Sequence, residues 1–491
     1  MSRDNPIPAE VPNWIGGEEV PAADGAWYDK LNPHDASLLC RLARSRAEDV
    51  SRAVEAAVAA QPAWAATTPV ARGQMLFDLA RAMAEAAGEI AAIVALETGK
   101  APSEALGETM GAVALARFFA GEGQRLYGRT TTSGVPGRRA YTVRMPVGVA
   151  GLIIAANTPI ANLAWKVFPA LICGNAVVLK AAEDTPATAW VVGRLAREVG
   201  LPAGVLNIVQ GLGPEAGAPL VADARVGVIS FTGSTAVGRE IAQVAGRRLA
   251  KVSLELGGKN PLVVCDDADL DNAVRWSLLS SFSNAGQRCA ASGRLIVFEA
   301  VYERFARMLV EGAEALKVGP DDGDDFGPVI NQRQLENILG HIQRARARGC
   351  RVLTGGHRLT DPAHAAGFYL APTVIEEDDP DSEIAVTELF GPVTLLLRAR
   401  DFDHALELAN RSPYGLTASI HTTNIHRALE FVERVQAGVA VVNGGTYGSE
   451  PHMPFGGVKD SGNGTREPGT EALDVYSELK DVYIHVDAEK V

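Results

Sequence analysis

The sequence has few of the residues from which disulfide frameworks and metal sites are built. Its 491 residues include only five cysteines and nine histidines, and they form no CxxC pair, no HExxH motif and no cysteine-histidine cluster in metal-ligand spacing. An odd number of scattered cysteines argues against a disulfide framework, and the spacing gives no support to a zinc site. We therefore expect free thiols, a reducing cytoplasmic environment and no bound metal.

Positive charge is also scarce. Lysine and arginine number 46 against 59 acidic residues, which gives a net charge of −13, and the acidic residues are scattered along the chain. Without a basic face to neutralise phosphates, nucleic acids and anionic membranes are not expected as partners. The first residues show no apolar core of a secretory signal.

Long hydrophobic runs are rare as well. One uncharged stretch, 145–165, is long enough to consider as a membrane span, but it contains Pro146, Asn157, Pro159 and Asn162. These residues favour a buried strand, a loop and a helix start over a membrane-spanning helix. No membrane association is therefore expected.

The chain does contain repeated alternation of short β-branched runs with helix-length segments. Predicted strands lie at 147–154, 176–180, 205–209, 226–231 and 251–254. Such alternation predicts a parallel, doubly wound α/β sheet. Before it, roughly the first 125 residues read as a leading segment followed by Ala-rich helices at 50–60, 73–97 and 103–127.

A second α/β alternation follows the glycine pair at 257–258, which is a plausible boundary between two lobes. Its predicted strands are 295–298, 393–397, 416–420 and 439–442, with helices at 301–316 and 332–348. Residues 130–144 and 472–486 alternate polar and apolar positions, and they could pair as an exposed edge that a partner subunit covers.

Three residues stand where chemistry could occur, although each has an ordinary structural interpretation. Cys289 follows the small and polar segment Asn-Ala-Gly-Gln-Arg, yet a lone cysteine is more often an inert core residue. Glu255 ends a predicted strand above two glycines and could face a cleft, or it could form a surface ion pair with Lys259. Asn157 ends another predicted strand, where its amide could stabilise an oxyanion or form a turn before a proline.

These positions, in their order and spacing, resemble the aldehyde dehydrogenase superfamily. The resemblance spans nearly the whole chain and rests on several motifs in family order: Leu254-Glu255-Leu-Gly-Gly-Lys259, Gly286-Gln-Arg-Cys289, Phe231-Thr-Gly-Ser-Thr-Ala-Val-Gly238, Glu388-Leu-Phe-Gly-Pro392 and Pro454-Phe-Gly-Gly-Val-Lys459. It implies NAD-dependent oxidation of an aldehyde to an acid. Cys289 is then the nucleophile, Asn157 the oxyanion donor, and Glu255 the base that activates water to hydrolyse the thioester.

The resemblance also implies three parts in the subunit. Residues 1–126 and 146–257 form the NAD-binding domain, 258–465 the catalytic α/β domain, and 127–145 with 466–491 a small β arm. The arm is expected to assemble a homodimer or homotetramer. A CoA-acylating semialdehyde dehydrogenase is an alternative, but that branch typically lacks the counterpart of Glu255. A catalytically silent binding or structural member is a second alternative, against which the presence of all three residues argues.

The cofactor residues follow from the same resemblance. Lys180 and Glu183 are expected at the adenosine ribose, where a carboxylate accepts from hydroxyls and repels the extra phosphate of NADP. Gly233 and Ser234 precede a predicted helix at 236–247, whose free N–H groups could bind a pyrophosphate. Further candidates are Gly213, in a glycine-rich turn with weak fingerprint spacing, Glu388 at the nicotinamide ribose, and Phe390 beside it.

For the substrate, the sequence gives a hypothesis about charge. Arg288 directly precedes Cys289. An arginine at this position resembles a feature of superfamily members that act on aldehydes with a second, anionic group. The small residue Thr158 and the polar 444–449 loop, which includes Ser449, favour the same hypothesis. Trp165 is a further candidate wall of the substrate site. Alternatively, Arg288 forms a structural ion pair with a loop carboxylate.

Overall fold

Short strands and then long helices make up the beginning of the chain. In the computed structural model, which describes residues 5–487 and 490, the strands are Glu10–Val11 (β1), Asn13–Ile15 (β2), Glu18–Val20 (β3), Trp27–Leu31 (β4) and Leu38–Ala43 (β5). The helices are Ala47–Ala66 (α1), Pro69–Glu85 (α2), Ala87–Thr98 (α3) and Pro102–Gly121 (α4). The helices were predicted, with 73–97 as one helix instead of two, and the five strands were missed. The first three strands have only two or three residues and are too short to show a period in sequence.

The first large sheet is built from the predicted β-branched runs. In chain order the elements are Thr130–Thr131 (β6), Arg138–Pro146 (β7), Val149–Ile153 (β8), Pro159–Ile172 (α5), Ala176–Lys180 (β9), Pro186–Glu198 (α6), Leu206–Val209 (β10), Ala218–Ala222 (α7), Val226–Thr232 (β11), Thr235–Gly246 (α8) and Lys251–Glu255 (β12). The sheet order is β12-β11-β8-β9-β10-β2-β3, parallel from β12 to β10. All five residues of β8 and of β9 are buried, as expected for strands covered by helices on both faces.

The second large sheet carries the rest of the chain. The elements of this part of the chain are Asn260–Val264 (β13), Leu270–Phe282 (α9), Ser292–Phe298 (β14), Glu299–Ala315 (α10), Gln332–Ala347 (α11), Arg351–Thr354 (β15), Thr373–Glu376 (β16), Glu383–Val386 (α12), Val393–Ala399 (β17), Phe402–Asn410 (α13), Tyr414–Gly415 (β18), Thr417–His421 (β19), Ile425–Arg434 (α14), Val439–Val442 (β20) and Val458–Lys459 (β21). Of these strands, β18 and β21 pair with each other outside the large sheet. The order is β15-β16-β17-β14-β13-β19-β20. The protein is therefore a mixed α/β structure with two largely parallel sheets.

A small antiparallel sheet lies apart from both large sheets. Ser477–His485 (β22) pairs with β7 over nine residues, from Ser477 opposite Pro146 to His485 opposite Arg138. The predicted pairing of these two segments is confirmed. The expected strand start at 472 is wrong, because Ala472–Val475 forms a short helix (α15) whose apolar side chains pack into the core of the first lobe.

The chain order around β8 fixes where a ligand can bind. From β8 the chain moves outward through β9 and β10 on one side, and β11 and β12 lie on the other side. The order of strands therefore reverses between β8 and β11, and ligands of such sheets bind beyond the carboxyl ends of the strands at this point. The stretch 145–165 is a strand, a loop and a helix start, as predicted. Within residues 5–487 and 490, no helix has both the length and the apolar character needed to cross a membrane.

Candidate active site

A cavity of about 320 Å³ opens at the carboxyl ends of β8, β11 and β12. Side chains and backbone from the first sheet, the loop before β14, helix α11 and the segment before β17 line it. The predicted site residues that it gathers are Asn157, Thr158, Trp165, Gly233, Ser234, Glu255, Cys289, Glu388 and Phe390. It is also lined by residues that were not predicted: Ala155, Asn162, Thr232, Leu256, Gly257, Gln334, Asn337, Leu389 and Phe455.

Cys289 follows a strained turn. The 3-10 turn Ser283–Gly286 places Asn284 and Ala285 at φ 53° and 52°, a left-handed conformation that side chains disfavour by about 1–2 kcal/mol. At Gly286, with φ +66°, an added Cβ would lie 2.1 Å from the Gly391 carbonyl oxygen. The segment that precedes Cys289 is therefore a strained turn.

The Cys289 thiol is half-buried in the cavity wall. Burial raises the pKa of this thiol to about 12, and the negative charges of Glu388 and Glu255 add to the effect. Such a thiol is protonated at neutral pH, so a thiolate forms there only with a proton acceptor or a nearby positive charge.

Glu255 is the last residue of β12 and is only 4% exposed. Neither of its carboxylate oxygens has a hydrogen-bond partner among the described residues. Burial raises the pKa of Glu255 well above its ordinary value, and the charge of Glu467 raises it further. The described residues include no ion pair between Glu255 and Lys259, so Glu255 is an unpartnered, basic carboxylate beside the thiol.

The Asn157 side chain is held in one orientation. Its Nδ2 donates to the Gln287 carbonyl oxygen at 3.0 Å, and its Oδ1 accepts from Asn162 Nδ2 at 3.4 Å. The amide nitrogen therefore faces the segment that carries Cys289, and its second N–H is free to donate. Thr158 accepts from the same Asn162 amide at 3.1 Å.

Behind Glu255 lies a buried polar network that the sequence did not reveal. Lys166 Nζ donates to Glu467 Oε2 at 2.7 Å and to Ser230 Oγ at 2.6 Å, and both charged side chains are fully buried. Glu467 also accepts from Ser253 at 3.0 Å and from Tyr476 at 3.2 Å. Glu467 lies in a loop outside the recognised motifs, so no sequence signal marked it.

Glu388 and the glycines after Glu255 fit each other closely. Glu388 Oε1 accepts from the Gly258 N–H at 3.0 Å, and a Cβ on Gly257 would lie 2.0 Å from Glu388 Oε2. Burial raises the pKa of Glu388 to about 7. Ser234 precedes α8 with an extended backbone, and its side chain forms no capping hydrogen bond.

Four predicted site residues lie outside the lining of this cavity. Lys180 and Glu183 form an ion pair of 2.7 Å at the carboxyl end of β9. Gly213 begins the short π-turn Gly213–Gly217, and Ser449 is exposed. The structure therefore brings Cys289, Glu255 and Asn157 into one cavity, whereas these four residues lie outside its lining. The roles of the four residues stay predictions.

Arg288 also lies outside the cavity lining and is engaged within the protein. Its Nη2 donates to Glu104 Oε1 at 3.1 Å, its Nη1 donates to Ser283 Oγ at 2.8 Å, and its guanidinium stacks 4.5 Å from the Tyr447 ring centroid. This is the ion pair expected in the structural interpretation. Trp165, by contrast, forms the cavity wall with Phe455, with ring centroids 5.2 Å apart.

Known proteins are similar to this chain in both sequence and fold. The Aldehyde dehydrogenase family profile matches residues 20–482. The chain is 39% identical over 475 residues to an alpha-ketoglutaric semialdehyde dehydrogenase of Bacillus subtilis strain 168, covering 96% of this chain and 97% of the relative. It is also 39% identical over 473 residues to an alpha-ketoglutarate semialdehyde dehydrogenase of Haloferax volcanii, covering 96% and 98%.

A solved structure is also similar to this chain. The betaine aldehyde dehydrogenase of Staphylococcus aureus in complex with NAD+ superposes with a TM-score of 0.95 at 31% identity, covering 97% of this chain and 95% of that one. The match therefore extends over both large sheets and the small one. The chain belongs to the aldehyde dehydrogenase family and is an oxidoreductase that acts on aldehydes.

Proposed function

We propose that this enzyme oxidises an acid-bearing aldehyde to the carboxylic acid with NAD, through a thioester on Cys289. The observation that carries the proposal is the meeting of Cys289, Glu255 and Asn157 in one cavity. A nucleophile, an unpartnered carboxylate and an oriented amide are the three groups that acylation and hydrolysis need.

In the acylation half, Cys289 Sγ releases its proton to solvent and attacks the aldehyde carbon as the thiolate. The new oxyanion accepts from Asn157 Nδ2 and from the Cys289 backbone N–H. NAD, when bound, supplies the acceptor for the hydride that leaves this carbon. The product on Cys289 is a thioester.

In the hydrolytic half, Glu255 removes a proton from water, which attacks the thioester carbonyl. The second oxyanion uses the same two donors, and collapse releases the carboxylic acid and the Cys289 thiol. The raised pKa of Glu255, caused first by burial and then by Glu467, makes it a stronger base than an exposed carboxylate.

The residues around the cavity fit a dinucleotide. Gly257 leaves room for Glu388, which lines the cavity and can accept from ribose hydroxyls. Gly233 and Ser234 also line it and directly precede α8, whose first N–H groups can bind a phosphate. Glu183 pairs with Lys180 at the carboxyl end of β9, and a carboxylate beside the adenosine ribose would repel the extra phosphate of NADP. The NAD+ complex of the staphylococcal neighbour supports the same cofactor.

The substrate class rests on the relatives and on the site. Both relatives named above act on a semialdehyde that carries one carboxylate group, according to their names. The small polar Thr158 lines the cavity beside Trp165. Arg288 is the cation that the sequence suggested for the second acid group, but it is already paired with Glu104, so the substrate class does not rest on it.

A panel of aldehydes tests the proposal. We expect NAD-dependent formation of the acid from alpha-ketoglutaric or succinic semialdehyde with a higher kcat/KM than for a neutral aliphatic aldehyde of equal length. NADH absorbance reports the rate, and Cys289→Ser serves as the inactive control. A better rate with the neutral aldehyde contradicts the substrate class, and a rate that depends on added coenzyme A contradicts hydrolysis.

A further inference from the structure

One helix contacts both of the loops that carry the reacting groups. Glu104 and Glu108 lie one turn apart on the first turns of α4, so their side chains share a face of the helix, and Lys100 lies just before it. The three side chains are directed at the loop of Cys289 and the loop of Asn157, and none of them lines the cavity itself.

Glu104 holds the strained turn before the nucleophile. It accepts from the Asn284 backbone N–H at 2.9 Å and from Arg288 Nη2 at 3.1 Å. Asn284 has the positive φ described above, so its N–H points away from the ordinary helical direction and needs a partner from elsewhere. A carboxylate supplies the strongest acceptor for it.

Glu108 and Lys100 hold the other loop. Glu108 Oε1 accepts from the Ile160 and Ala161 N–H groups, at 3.0 and 3.3 Å, where α5 begins. Its Oε2 accepts from Lys100 Nζ at 2.5 Å, and the same ammonium donates to the Asn157 carbonyl oxygen at 2.8 Å. Both side chains are buried, at 2% exposed for Lys100 and 7% for Glu108.

The two loops are also joined to each other. Asn284 Nδ2 donates to the Asn157 carbonyl oxygen and to the Gln287 carbonyl oxygen, both at 3.2 Å. The Asn157 amide donates to the same Gln287 oxygen. Helix α4, the turn at 283–286 and the start of α5 therefore form a closed polar frame around the oxyanion donors.

We propose that Glu104, Glu108 and Lys100 are positioning residues that set the separation between the Asn157 amide and the Cys289 backbone N–H. The proposal rests on the oxyanion role that the proposed function gives to these two donors. Displacement of a reacting group by about 1 Å can cost about 100-fold in rate, so a frame of this kind controls acylation without touching substrate.

Single-turnover kinetics test the proposal. With saturating NAD and aldehyde, we expect Glu104→Ala to lower the rate of the first hydride transfer about 10- to 100-fold, with the Kd for NAD changed less than about twofold. Glu104→Gln keeps an acceptor for Asn284 and should recover part of the rate. Glu122→Gln is the matched control, because Glu122 is buried just after α4 and pairs with Arg125, away from both loops.

A double-mutant cycle separates positioning from general destabilisation. In an Asn157→Ala background, one of the two donors whose separation the frame sets is gone, so Glu104→Ala should lower the remaining rate less than about threefold. Equal effects of Glu104→Ala in both backgrounds would overturn the proposal, as would a parallel loss of NAD affinity. If Glu104→Ala does not fold, Glu104→Gln and Lys100→Met carry the same comparison.

The variants distinguish an error in the proposed function from an error in the positioning role. Wild-type turnover in Cys289→Ala or Asn157→Ala would contradict the chemistry itself. Loss of turnover in those two variants, together with wild-type hydride transfer in Glu104→Ala and Lys100→Met, would reject only the positioning role.

Discussion

At the scale of single residues, the active site consists of groups whose ionisation is disfavoured by their surroundings. Burial raises the pKa of Glu255, Glu388 and Cys289 together, and each carboxylate adds its charge against the thiolate. Groups of this kind gather at functional sites because the chemistry needs bases that are not neutralised by partners. Three consequences can be measured.

Replacing Glu255 with glutamine should stop the reaction at the thioester. The first hydride transfer needs no activated water, so one burst of NADH is expected and steady turnover should fall at least about 100-fold. Intact-protein mass spectrometry should then find one acyl group on Cys289. Continued turnover without an adduct would show that another group activates water.

The same substitution should raise stability, and more so at high pH. The pKa of Glu255 is raised in the folded protein, so its protonated form is favoured there. Stability is therefore greatest below the unfolded pKa and falls as pH rises toward the folded value. Glutamine does not titrate. The gain in Tm of Glu255→Gln over wild type should be larger at pH 8 than at pH 5, and an equal gain at both would contradict the raised pKa.

Arg288→Ala separates two roles for this side chain. Because its guanidinium is engaged by Glu104 and Ser283, we expect kcat/KM to fall by the same factor for a semialdehyde and for a neutral aldehyde of equal length. A loss concentrated on the semialdehyde would instead support direct recognition of the second acid group, as the sequence predicted.

Residues inside motifs could be found from sequence, and residues that act through contacts could not. Cys289, Glu255 and Asn157 could be predicted because their order and spacing resemble the family and because two of them end predicted strands. The structure brings all three into one cavity. Glu467 and Glu104 carry no such mark. Each becomes visible only when a partner distant in the chain, Lys166 or Asn284, is placed beside it.

At the scale of elements, the loop before the nucleophile depends on one glycine. Gly286→Ala should lower activity more than tenfold and reduce Tm, because the residue has φ +66° and a Cβ would collide with the Gly391 carbonyl. Gly107→Ala, on α4 with open space around it, is the control and should be neutral or stabilise by up to about 1 kcal/mol. Wild-type activity in Gly286→Ala would show that the turn can rearrange.

The predicted elements show where sequence patterns carry information. Parallel strands such as β9 are buried on both faces, so they appear as continuous apolar runs with clear limits. The predicted helix at 73–97 is divided at Ala86, whose φ of −90° and ψ of 11° leave the helical region. Alanine is a strong helix former, so no residue type announced that break.

At the scale of the whole molecule, the small sheet is poorly covered. Seven of the nine residues of β22 are exposed, Val482 is half-buried and Ser477 is buried. Leu479, Tyr483 and Ile484 are 57%, 56% and 44% exposed. An antiparallel sheet with apolar side chains needs a covering layer to be stable. The homodimer or homotetramer expected from the sequence would supply one.

Light scattering after size-exclusion chromatography tests this assembly. We expect an oligomer for the wild type and a shift toward monomer for Leu479→Lys combined with Ile484→Lys. Val70→Lys, at an equally exposed position on α2, is the control and should leave the mass unchanged. A monomeric wild type would contradict the predicted arm.

The last part of the chain completes the interior of the first lobe, and this has a consequence for the order of synthesis. Glu467 reaches Ser230 across 237 residues and is the buried counterion of Lys166. Until a ribosome has made residue 467, that ammonium lacks its Glu467 counterion, and an uncompensated buried charge costs several kcal/mol. The first lobe should therefore reach its final packing only after the second lobe has been translated, so the reactive thiol is assembled late.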